Sequence, residues 1–533
     1  MDLLLIGVDA CCRRVVDPLI EDGRLPNLES LLTEGVTGTL TSQIPPWTAS
    51  AWPTLYTGVN PGKHGVFDFL SYDGYDWGVV DANDVKEYAL WELLDRHDRR
   101  SVVVNVPVTH PPRSFDGALI PGFTAPEEPS CYPPDLLSEV RDAIGEYHVY
   151  PTPGDDEEAF PEYLECVRMR GEAFRYLARR FSPDFGFLQF QATDTIFHQY
   201  SHEDRDRIGA VYEAVDEQIG KTLSAVDPER ILVVGDHGIG PYQGVEFRVN
   251  EWLADNGYLE TKRGGAGMPS WQLIRDDQLR QGVDDTSRDM STFEQIVAAA
   301  SRAGITTTRV RKVLETVGLD EFVRKRAPTG VVRVSERQVD FPRSQAYMRS
   351  RVETGIRINL EGREPNGVVS HDEYEPLRAE LIERLTAKTT PDGEPIFEDV
   401  IPAEALYDGP FVEHAVDIIT VPNDWEHFLS AKLPGEQFGQ PAEPWNHKLE
   451  TVIAAAGDGF DTAGPVEGAH LLDIAPTVLA ALDVPINERM DGRVLPITEP
   501  TGLHSYPSYQ DTEAPDAADA DIEDRLAALG YVE

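Results

Sequence analysis

Short apolar runs alternate with amphipathic stretches along the first half of the chain. The apolar runs lie at residues 3–8, 101–106, 185–190 and 231–235, which is typical of buried strands. Between the last two runs, apolar side chains recur at the spacing of one helical face, at Ile208, Val211, Val215, Ile219 and Leu223. This βαβ pattern predicts two parallel strands joined by a right-handed crossover. The chain is therefore expected to be an α/β protein with a mostly parallel central sheet flanked by helices.

The pattern changes along the second half of the chain and predicts a division into parts. Residues 1–260 and 425–500 are expected to form one α/β core, and residues 344–424 a small α/β subdomain. A polar, Arg-rich stretch at 261–343 predicts a helical insertion or lid over the core. Residues 501–533 predict an acidic linker and a C-terminal helix.

Individual elements of these later parts can also be placed. We expect a strand at 355–360, a helix at 374–385 and a strand at 451–456 that rejoins the main sheet. A helix is expected at 474–482, with Asp473 as its N-cap. Shorter helices are expected at 293–300, 310–317 and 522–529.

Composition indicates a water-soluble protein. Apolar residues make up 41% of the chain and the mean hydropathy is −0.34. No apolar run approaches the roughly 20 residues that a membrane-spanning helix needs. The first apolar run is too short for a signal peptide and is interrupted by Asp9, so we expect a cytoplasmic protein without a membrane partner.

The net charge of −46 is extreme for a chain of this length. It would repel nucleic acid, so stable nucleic-acid binding is not expected. The acidic residues are spread along the chain and Arg outnumbers Lys, which is typical of halophilic proteins, where salt screens the self-repulsion. An ordinary acidic protein is the alternative. Nothing in the sequence indicates the oligomeric state.

The four cysteines do not form a disulfide or metal motif. Cys11, Cys12, Cys131 and Cys166 include no C-x-x-C pair. We expect reduced thiols that pack in the interior, as cysteine commonly does.

Carboxylates and histidines follow three of the predicted strands. Asp9 follows the first, Asp194 and His198 follow 185–190, and Asp236 and His237 follow 231–235. Each alone is more often a turn residue, a cap or a surface pair. Because the carboxyl ends of parallel strands face one crevice, the set together predicts a metal site. Imidazole combined with carboxylate suits zinc, with manganese as the alternative.

A loop that contains two prolines places a hydroxyl group near the start of a predicted helix. Thr48 follows Pro45 and Pro46 and precedes the helical stretch that ends at Gly58. The start of a helix offers unpaired N–H groups and the positive end of the dipole, which favour an anion. Thr48 could equally be an N-cap, and both roles can hold at once.

Together with further motifs along the chain, these residues resemble the alkaline phosphatase superfamily, in the branch of the type I phosphodiesterases and nucleotide pyrophosphatases. The resemblance covers most of the chain, leaving 261–343 and the acidic tail unmatched. It is specific for the superfamily and less so for the substrate. It rests on Gly7-Val8-Asp9, Pro45-Pro46-x-Thr48, Thr57-Gly58-x-x-Pro61-x-x-His64-Gly65, Asp194-x-x-x-His198, Gly235-Asp236-His237-Gly238, Asn250-Glu251-Trp252-Leu253, Gly257-Tyr258-Leu259, Asn359-Leu360-x-Gly362-Arg363-Glu364, Asp473-Ile474-Ala475-Pro476-Thr477 and Met490-Asp491-Gly492-Arg493.

The resemblance implies an alkaline phosphatase-like fold and two divalent metal ions, each held by three protein side chains. Asp9, Asp236 and His237 would hold one ion beside Thr48. The other ion would be held by Asp194 and His198, completed by a late histidine, for which His447 is the first choice and His470 and then His414 are the rivals.

The resemblance also implies that Thr48 is the nucleophile and a metal ligand. The family often has proline two residues after the nucleophile, where this chain has Ser50. Ser50 or Thr54 could therefore be the attacking group, although Thr48 keeps the spacing to Thr57-Gly58.

The resemblance therefore implies a metal-dependent hydrolase of small phosphate esters, foremost a phosphodiesterase or nucleotide pyrophosphatase that forms a covalent phosphothreonine intermediate. A phosphomonoesterase or phosphomutase of the same superfamily is the alternative. A catalytically inactive metal-binding protein is a third hypothesis. A sulfatase does not fit, because the chain lacks a Cys/Ser-x-Pro-x-Arg motif at Thr48.

Overall fold

The structure is a computed structural model that describes residues 1–151, 156–200, 204–263, 337–443, 445–460 and 466–509. The predicted helices at 293–300, 310–317 and 522–529 lie outside the described residues, as does most of the predicted insertion. No helix in the described part of the chain is long and apolar enough to cross a bilayer.

The strands are short and are distributed along the described chain. They are β1 (Leu3–Val8), β2 (Val36–Thr41), β3 (Leu70–Asp73), β4 (Asp76–Val79), β5 (Ser101–Val104), β6 (Gly117–Ile120), β7 (Phe185–Phe190), β8 (Arg230–Val234), β9 (Gly238–Pro241), β10 (Glu246–Arg248), β11 (Thr261–Arg263), β12 (Arg337–Val339), β13 (Ala346–Tyr347), β14 (Gly355–Ile358), β15 (Phe397–Pro402), β16 (Ile418–Pro422), β17 (Phe428–Ser430), β18 (Phe438–Gly439), β19 (Trp445–Lys448), β20 (Glu450–Gly457), β21 (Val466–His470), β22 (Ile486–Asn487) and β23 (Leu503–His504).

The helices lie between these strands. They are α1 (Arg13–Glu21), α2 (Pro26–Glu34), α3 (Thr48–Thr57), α4 (Pro61–His64), α5 (Leu90–Asp95), α6 (Leu136–Ile144), α7 (Asp156–Phe181), α8 (Ala192–Gln199), α9 (Arg205–Val226), α10 (Val249–Asp255), α11 (His371–Thr386) and α12 (Ile474–Ala481). Short 3-10 turns lie at Phe341–Arg343, Ala403–Ala405, Val412–His414, Asn423–Trp425 and Leu471–Asp473.

An eight-stranded sheet forms the centre of the fold, in the order β21-β2-β20-β8-β1-β7-β5-β6. Within it, β20 runs antiparallel to both of its neighbours, and the other neighbouring pairs are parallel. The prediction of a mostly parallel central sheet is confirmed. Strands β7 and β8 are parallel as predicted, but β1 lies between them and pairs with both.

The central sheet is buried on both faces. Along β1, Leu3 and Leu5 contribute to one apolar core, while Leu4, Ile6 and Val8 contribute to the other. Side chains of α3 and α12 pack in the first core, and those of α7 and α9 in the second. Burial on both faces explains why the strand reads as an uninterrupted apolar run rather than an alternating one.

A smaller four-stranded sheet, in the order β13-β14-β16-β15, is formed within the stretch predicted as a subdomain, and its neighbouring pairs are antiparallel. Helix α11 contributes Leu381 and Leu385 to the core of this sheet. The boundaries of the predicted domains stay predictions, because the intervening stretch lies largely outside the described residues.

Several predicted element ends are corrected by local chemistry. The strand predicted at 101–106 ends at Val104, because Asn105 adopts a positive φ of 66°. The helix predicted at 374–385 begins earlier, at His371, where Ser370 and Glu373 form a capping box. Asp473 occupies the N-cap position of α12, but its carboxylate instead accepts hydrogen bonds from the backbone N–H groups of His470 and Arg493.

All four cysteines are free and buried, which confirms the prediction of packed, reduced thiols.

Candidate active site

The carboxyl ends of three neighbouring strands bring the predicted ligands to one edge of the central sheet. Strand β1 pairs with β7 and with β8 in parallel register, so all three end at nearly the same level. Asp9 follows β1 directly, and Asp236 follows β8 after a single glycine. Strand β7 leads into α8, which carries Asp194. Parallel pairing therefore places residues that are far apart in sequence at one crevice.

A fourth segment supplies the late histidine. His447 lies on β19, and β19 pairs with β9. Strand β9 begins immediately after His237, and His447 lies opposite Ile239 in this pairing. The pairing is antiparallel and holds the two imidazole rings face to face, with centroids 3.7 Å apart and an interplanar angle of 18°.

The ligand side chains form two groups. The first cluster is Asp9, Asp236 and His237, and the second cluster is Asp194, His198 and His447. Within each cluster the candidate ligand atoms lie within 4.8 Å of one another. In the first cluster, His237 Nε2 lies 3.4 Å from Asp9 Oδ1 and 3.3 Å from Asp236 Oδ2.

The second cluster is equally compact. His198 Nε2 lies 3.3 Å from Asp194 Oδ1 and 3.1 Å from His447 Nε2. His447 Nε2 lies 3.4 Å from the same Asp194 oxygen. The donor atoms of both clusters thus converge, as the ligands of a metal ion must.

Within the described part of the chain, three buried carboxylate oxygens of these clusters have no hydrogen-bond partner: Asp9 Oδ1, Asp194 Oδ1 and Asp236 Oδ2. These are the oxygens that face the imidazoles. An unpaired buried carboxylate oxygen is costly, because it has lost its water without gaining a donor. A divalent cation in each cluster would satisfy these oxygens, so the residues present fit the two ions that the sequence implies.

The histidine rings are oriented for coordination through Nε2. His237 Nδ1 donates a hydrogen bond to the Gly238 carbonyl at 3.0 Å. His447 Nδ1 donates one to the Pro46 carbonyl at 2.8 Å. Because a carbonyl can only accept, both protons lie on Nδ1 and the Nε2 lone pairs face the clusters.

Burial shifts the pKa values of the first-cluster side chains and of His447. It raises the pKa of Asp9 well above its usual value, and it raises the pKa of Asp236 to about 7, with a further contribution from the charge of Asp194. Burial lowers the pKa of His237 and of His447 to about 4, so both rings are neutral at pH 7. Crowded carboxylates and neutral imidazoles are the chemistry of a cation site.

His198 differs from the other two histidines. Burial alone would lower its pKa, but the Asp194 carboxylate at 3.3 Å raises it to about 10. The same interaction overcomes burial at Asp194 and lowers the pKa of that carboxyl well below its usual value. His198 must therefore release a proton when it binds a metal ion.

Thr48 lies beside the first cluster. It is the first residue of α3 and is only 1% exposed. Its Oγ1 lies 3.3 Å from His237 Nε2. The N-cap position is occupied by Trp47, which makes no side-chain cap, so the N-cap alternative for Thr48 is wrong. At the first helical position the hydroxyl still lies at the positive end of the helix dipole.

The two rival hydroxyls belong to a separate network. Ser50 Oγ donates to the Val66 carbonyl at 2.9 Å and accepts a hydrogen bond from Gln43. Thr54 Oγ1 bonds to Gln43 Oε1 at 3.0 Å and to His64 Nε2 at 2.9 Å. Within the described ranges these hydrogen bonds hold Ser50 and Thr54 away from both clusters, whereas Thr48 contacts His237.

The two rival histidines also lie elsewhere. His470 Nδ1 accepts a hydrogen bond from the Leu472 N–H at 3.2 Å and so caps a 3-10 turn. His414 lies on another 3-10 turn, at Val412–His414. Neither joins a metal-ligand group in the part of the chain that the structure describes.

Sequence reasoning missed the side chains that hold Asp9. Trp52 Nε1 and Gln189 Nε2 both donate to Asp9 Oδ2, at 3.1 Å and 3.0 Å. Asn105 Nδ2 in turn donates to Gln189 Oε1 at 2.7 Å. The one available signal was a polar Gln189 within an otherwise apolar strand.

A second missed contact supports His198. Glu443 Oε2 lies 3.6 Å from His198 Nδ1, and its other carboxylate oxygen accepts from Arg351 Nη2 at 2.8 Å. Nothing in the sequence marked this glutamate, because its role depends on a contact between segments distant in the chain.

The fold and the site define the class of protein: an α/β protein with an alkaline phosphatase-like fold, which carries two groups of candidate metal ligands and a threonine hydroxyl at the carboxyl edge of its sheet. Residues 3–447 match the family described as type I phosphodiesterase / nucleotide pyrophosphatase, and the chain belongs to this family. It is accordingly a phosphoric ester hydrolase.

Comparison with solved structures supports the fold. The chain is similar to phosphonoacetate hydrolase from Sinorhizobium meliloti 1021, in its complexes with phosphonoformate and with phosphonoacetate. Each comparison gives a TM-score of 0.52 and 14% identity, and covers 89% of this chain and 94% of that chain. No curated protein matches the chain.

Proposed function

We propose that this protein is a phosphodiesterase or nucleotide pyrophosphatase that uses Thr48 as its nucleophile and two divalent cations, foremost zinc. Asp9, Asp236 and His237 would hold one cation, and Asp194, His198 and His447 the other. The observation that carries the proposal is the position of Thr48 Oγ1, 3.3 Å from the Nε2 atom of a first-cluster histidine.

The chemistry follows from this arrangement. Divalent cations bound in the clusters would supply the positive charge that stabilises the attacking and leaving oxygens of an in-line displacement. Thr48 loses its hydroxyl proton, and Oγ1 forms a bond to phosphorus while the bond from phosphorus to the leaving alcohol breaks. The leaving oxygen takes up a proton. Water then attacks the phosphothreonine, the Oγ1–phosphorus bond breaks, and Thr48 regains its proton.

The charges around the site favour a diester over a monoester. A monoester carries more negative charge and needs a free cationic side chain to hold its extra oxygen. Arg351, which lies 5.3 Å from the Trp47 ring, has its charge balanced by an ion pair with Glu443, although its Nη1 has no hydrogen-bond partner among the described residues. Among the described residues, no lysine or arginine forms an ion pair with Asp9, Asp194 or Asp236, whose recorded ion-pair partners are histidines.

The test compares bis(p-nitrophenyl) phosphate with p-nitrophenyl phosphate, using protein loaded with zinc or manganese at several salt concentrations. We expect the diester to be the better substrate. Thr48→Ala should lower kcat by about 10³-fold or more, as loss of a nucleophile does, while metal content by mass spectrometry stays unchanged.

Ser50→Ala is the matched control, because Ser50 is buried in the same helix but bonds away from the clusters. It should keep wild-type turnover. Full activity of Thr48→Ala would remove Thr48 from the mechanism. Faster hydrolysis of the monoester would favour a phosphomonoesterase or phosphomutase, and failure with both substrates and both metals would indicate an inactive metal-binding protein.

A further inference from the structure

A small cavity lies beside the metal clusters, at the carboxyl ends of β5 and β7. Its volume is about 30 Å³. Because a water molecule needs roughly 10–15 Å³, the space is large enough for a water molecule or a monatomic ion. Most of its wall is apolar or aromatic, and the polar side chains among its lining residues include Arg170, Gln191, Asn105 and Thr195.

Arg170 is a buried cation without a described counter-ion. Its side chain lies on α7 and is 3% exposed. Nε donates to Asn105 Oδ1 and Nη2 donates to the Val149 carbonyl, both at 2.8 Å. The guanidinium also lies over the Tyr147 ring, with Cζ 4.7 Å from the centroid. No carboxylate within the described ranges forms an ion pair with Arg170.

The remaining nitrogen of this guanidinium is unsatisfied. Nη1 of Arg170 is buried and has no hydrogen-bond partner among the residues that the structure describes. Since Nε and Nη2 are already engaged, Nη1 is the donor left for a ligand in the cavity. A buried charge that lacks a partner is strongly unfavourable, because its hydration has been lost without replacement.

Gln191 provides a second donor at the cavity. Its Oε1 accepts a hydrogen bond from Gln189 Nε2 at 3.1 Å, which orients the amide so that its Nε2 points away from Gln189. An arginine nitrogen and an amide nitrogen in an otherwise apolar wall favour a small, weakly hydrated anion.

We propose that this cavity binds a single halide ion, chloride under ordinary conditions, against Arg170 Nη1. The ion supplies both the negative charge and the hydrogen-bond acceptor that the guanidinium lacks. The site is separate from the metal clusters and does not depend on the proposed function. A chain of hydrogen bonds links this site to the first cluster: Arg170 donates to Asn105, Asn105 donates to Gln189, and Gln189 donates to Asp9.

The direct test is anomalous diffraction at the bromine edge from crystals of the full-length protein soaked in sodium bromide. We expect an anomalous peak within hydrogen-bond distance of Arg170 Nη1. A water molecule at that position with no anomalous signal, or an empty cavity, would overturn the proposal.

Thermal unfolding gives a second test in solution. The midpoint is measured in sodium chloride and in sodium glutamate at equal concentration, because glutamate is a much larger anion than chloride and matches its ionic strength. The chloride-minus-glutamate difference should be about 2 °C larger for the wild type than for Arg170→Met, as expected for a bound ion near saturation.

Arg179→Met is the matched control, because Arg179 is an exposed arginine on the same helix. It should keep the wild-type chloride response. If Arg170→Met keeps the same response as the wild type, the halide does not bind at Arg170. The diffraction experiment uses the unaltered protein, so it decides the question even if Arg170→Met fails to fold.

Discussion

Replacement of Trp52 by phenylalanine tests whether Asp9 is held in place for a metal ion. Trp52 is fully buried, and its indole N–H donates to Asp9 Oδ2 at 3.1 Å. Phenylalanine keeps an aromatic ring against Phe187, whose ring centroid lies 5.9 Å from that of Trp52. It removes the donor and leaves Gln189 as the remaining hydrogen-bond partner of that oxygen.

The expected magnitude follows from this contact. A hydrogen bond to a charged group contributes about 1.5–3 kcal/mol. Since about 1.4 kcal/mol corresponds to a tenfold change in an equilibrium constant, the loss predicts roughly 10- to 100-fold weaker binding of an ion held by the first cluster. The truncated side chain also leaves a cavity, which lowers the free energy of unfolding independently of metal.

The assay measures the zinc dissociation constant by competition with a coloured chelator, together with the thermal midpoint of the metal-free protein. Trp91→Phe is the matched control. Trp91 is 5% exposed and packs against Tyr56, with ring centroids 5.1 Å apart, away from both clusters. It should lose stability without losing zinc affinity. Wild-type affinity in Trp52→Phe, or an equal loss in both variants, would refute the reasoning that Trp52 positions a metal ligand.

Three further predictions follow from the structure. The pKa of His198 is raised to about 10 from an ordinary value of 6.5, so the metal-free protein should lose stability as the pH rises from about 6.5 to 10. Metal binding needs the neutral ring and should abolish that loss. A stability that does not change with pH in the metal-free protein would contradict the prediction. In Gly7→Ala the new Cβ would overlap Trp52 Cη2, so urea unfolding should show about 1–3 kcal/mol lower stability. Gly78→Ala, whose Cβ would have its nearest neighbour 3.8 Å away, should change little. Because the protein carries a net charge of −46, salt should screen its self-repulsion, and the thermal midpoint should rise as sodium chloride is raised from low to molar concentration. A falling midpoint would count against a salt-adapted surface.

Packing at Gly7 illustrates how the site is built from the core outward. The Trp52 ring occupies the space that a side chain at residue 7 would need. This close approach allows α3 to lie against β1, so that Thr48 and Asp9 reach the same crevice. The absence of a side chain at Gly7 thus lets Asp9 and the Thr48 hydroxyl lie at the same crevice.

Local sequence patterns predicted β1, β5, β7, β8 and β20 of the central sheet, but not β2, β6 or β21. They also identified the candidate ligands that follow β1, β7 and β8. Strands β1 and β7 have the predicted bounds, because an uninterrupted apolar run is stable only with both of its faces covered. The convergence of Asp9, Asp194 and Asp236 was also predictable, since parallel strands end at a common edge. Their assignment to two ions and the choice of His447 depended on the family resemblance.

Only the tertiary structure decided the remaining questions. Thr48 is distinguished from Ser50 and Thr54 by the hydrogen bonds that hold the latter two elsewhere, and local sequence does not encode those partners. The donors to Asp9 and the contact of Glu443 with His198 join segments far apart in the chain. Sequence periodicity reports which residues are buried and in which element. Which buried polar groups meet is determined by strand order and helix packing, because these alone bring distant segments within hydrogen-bond distance.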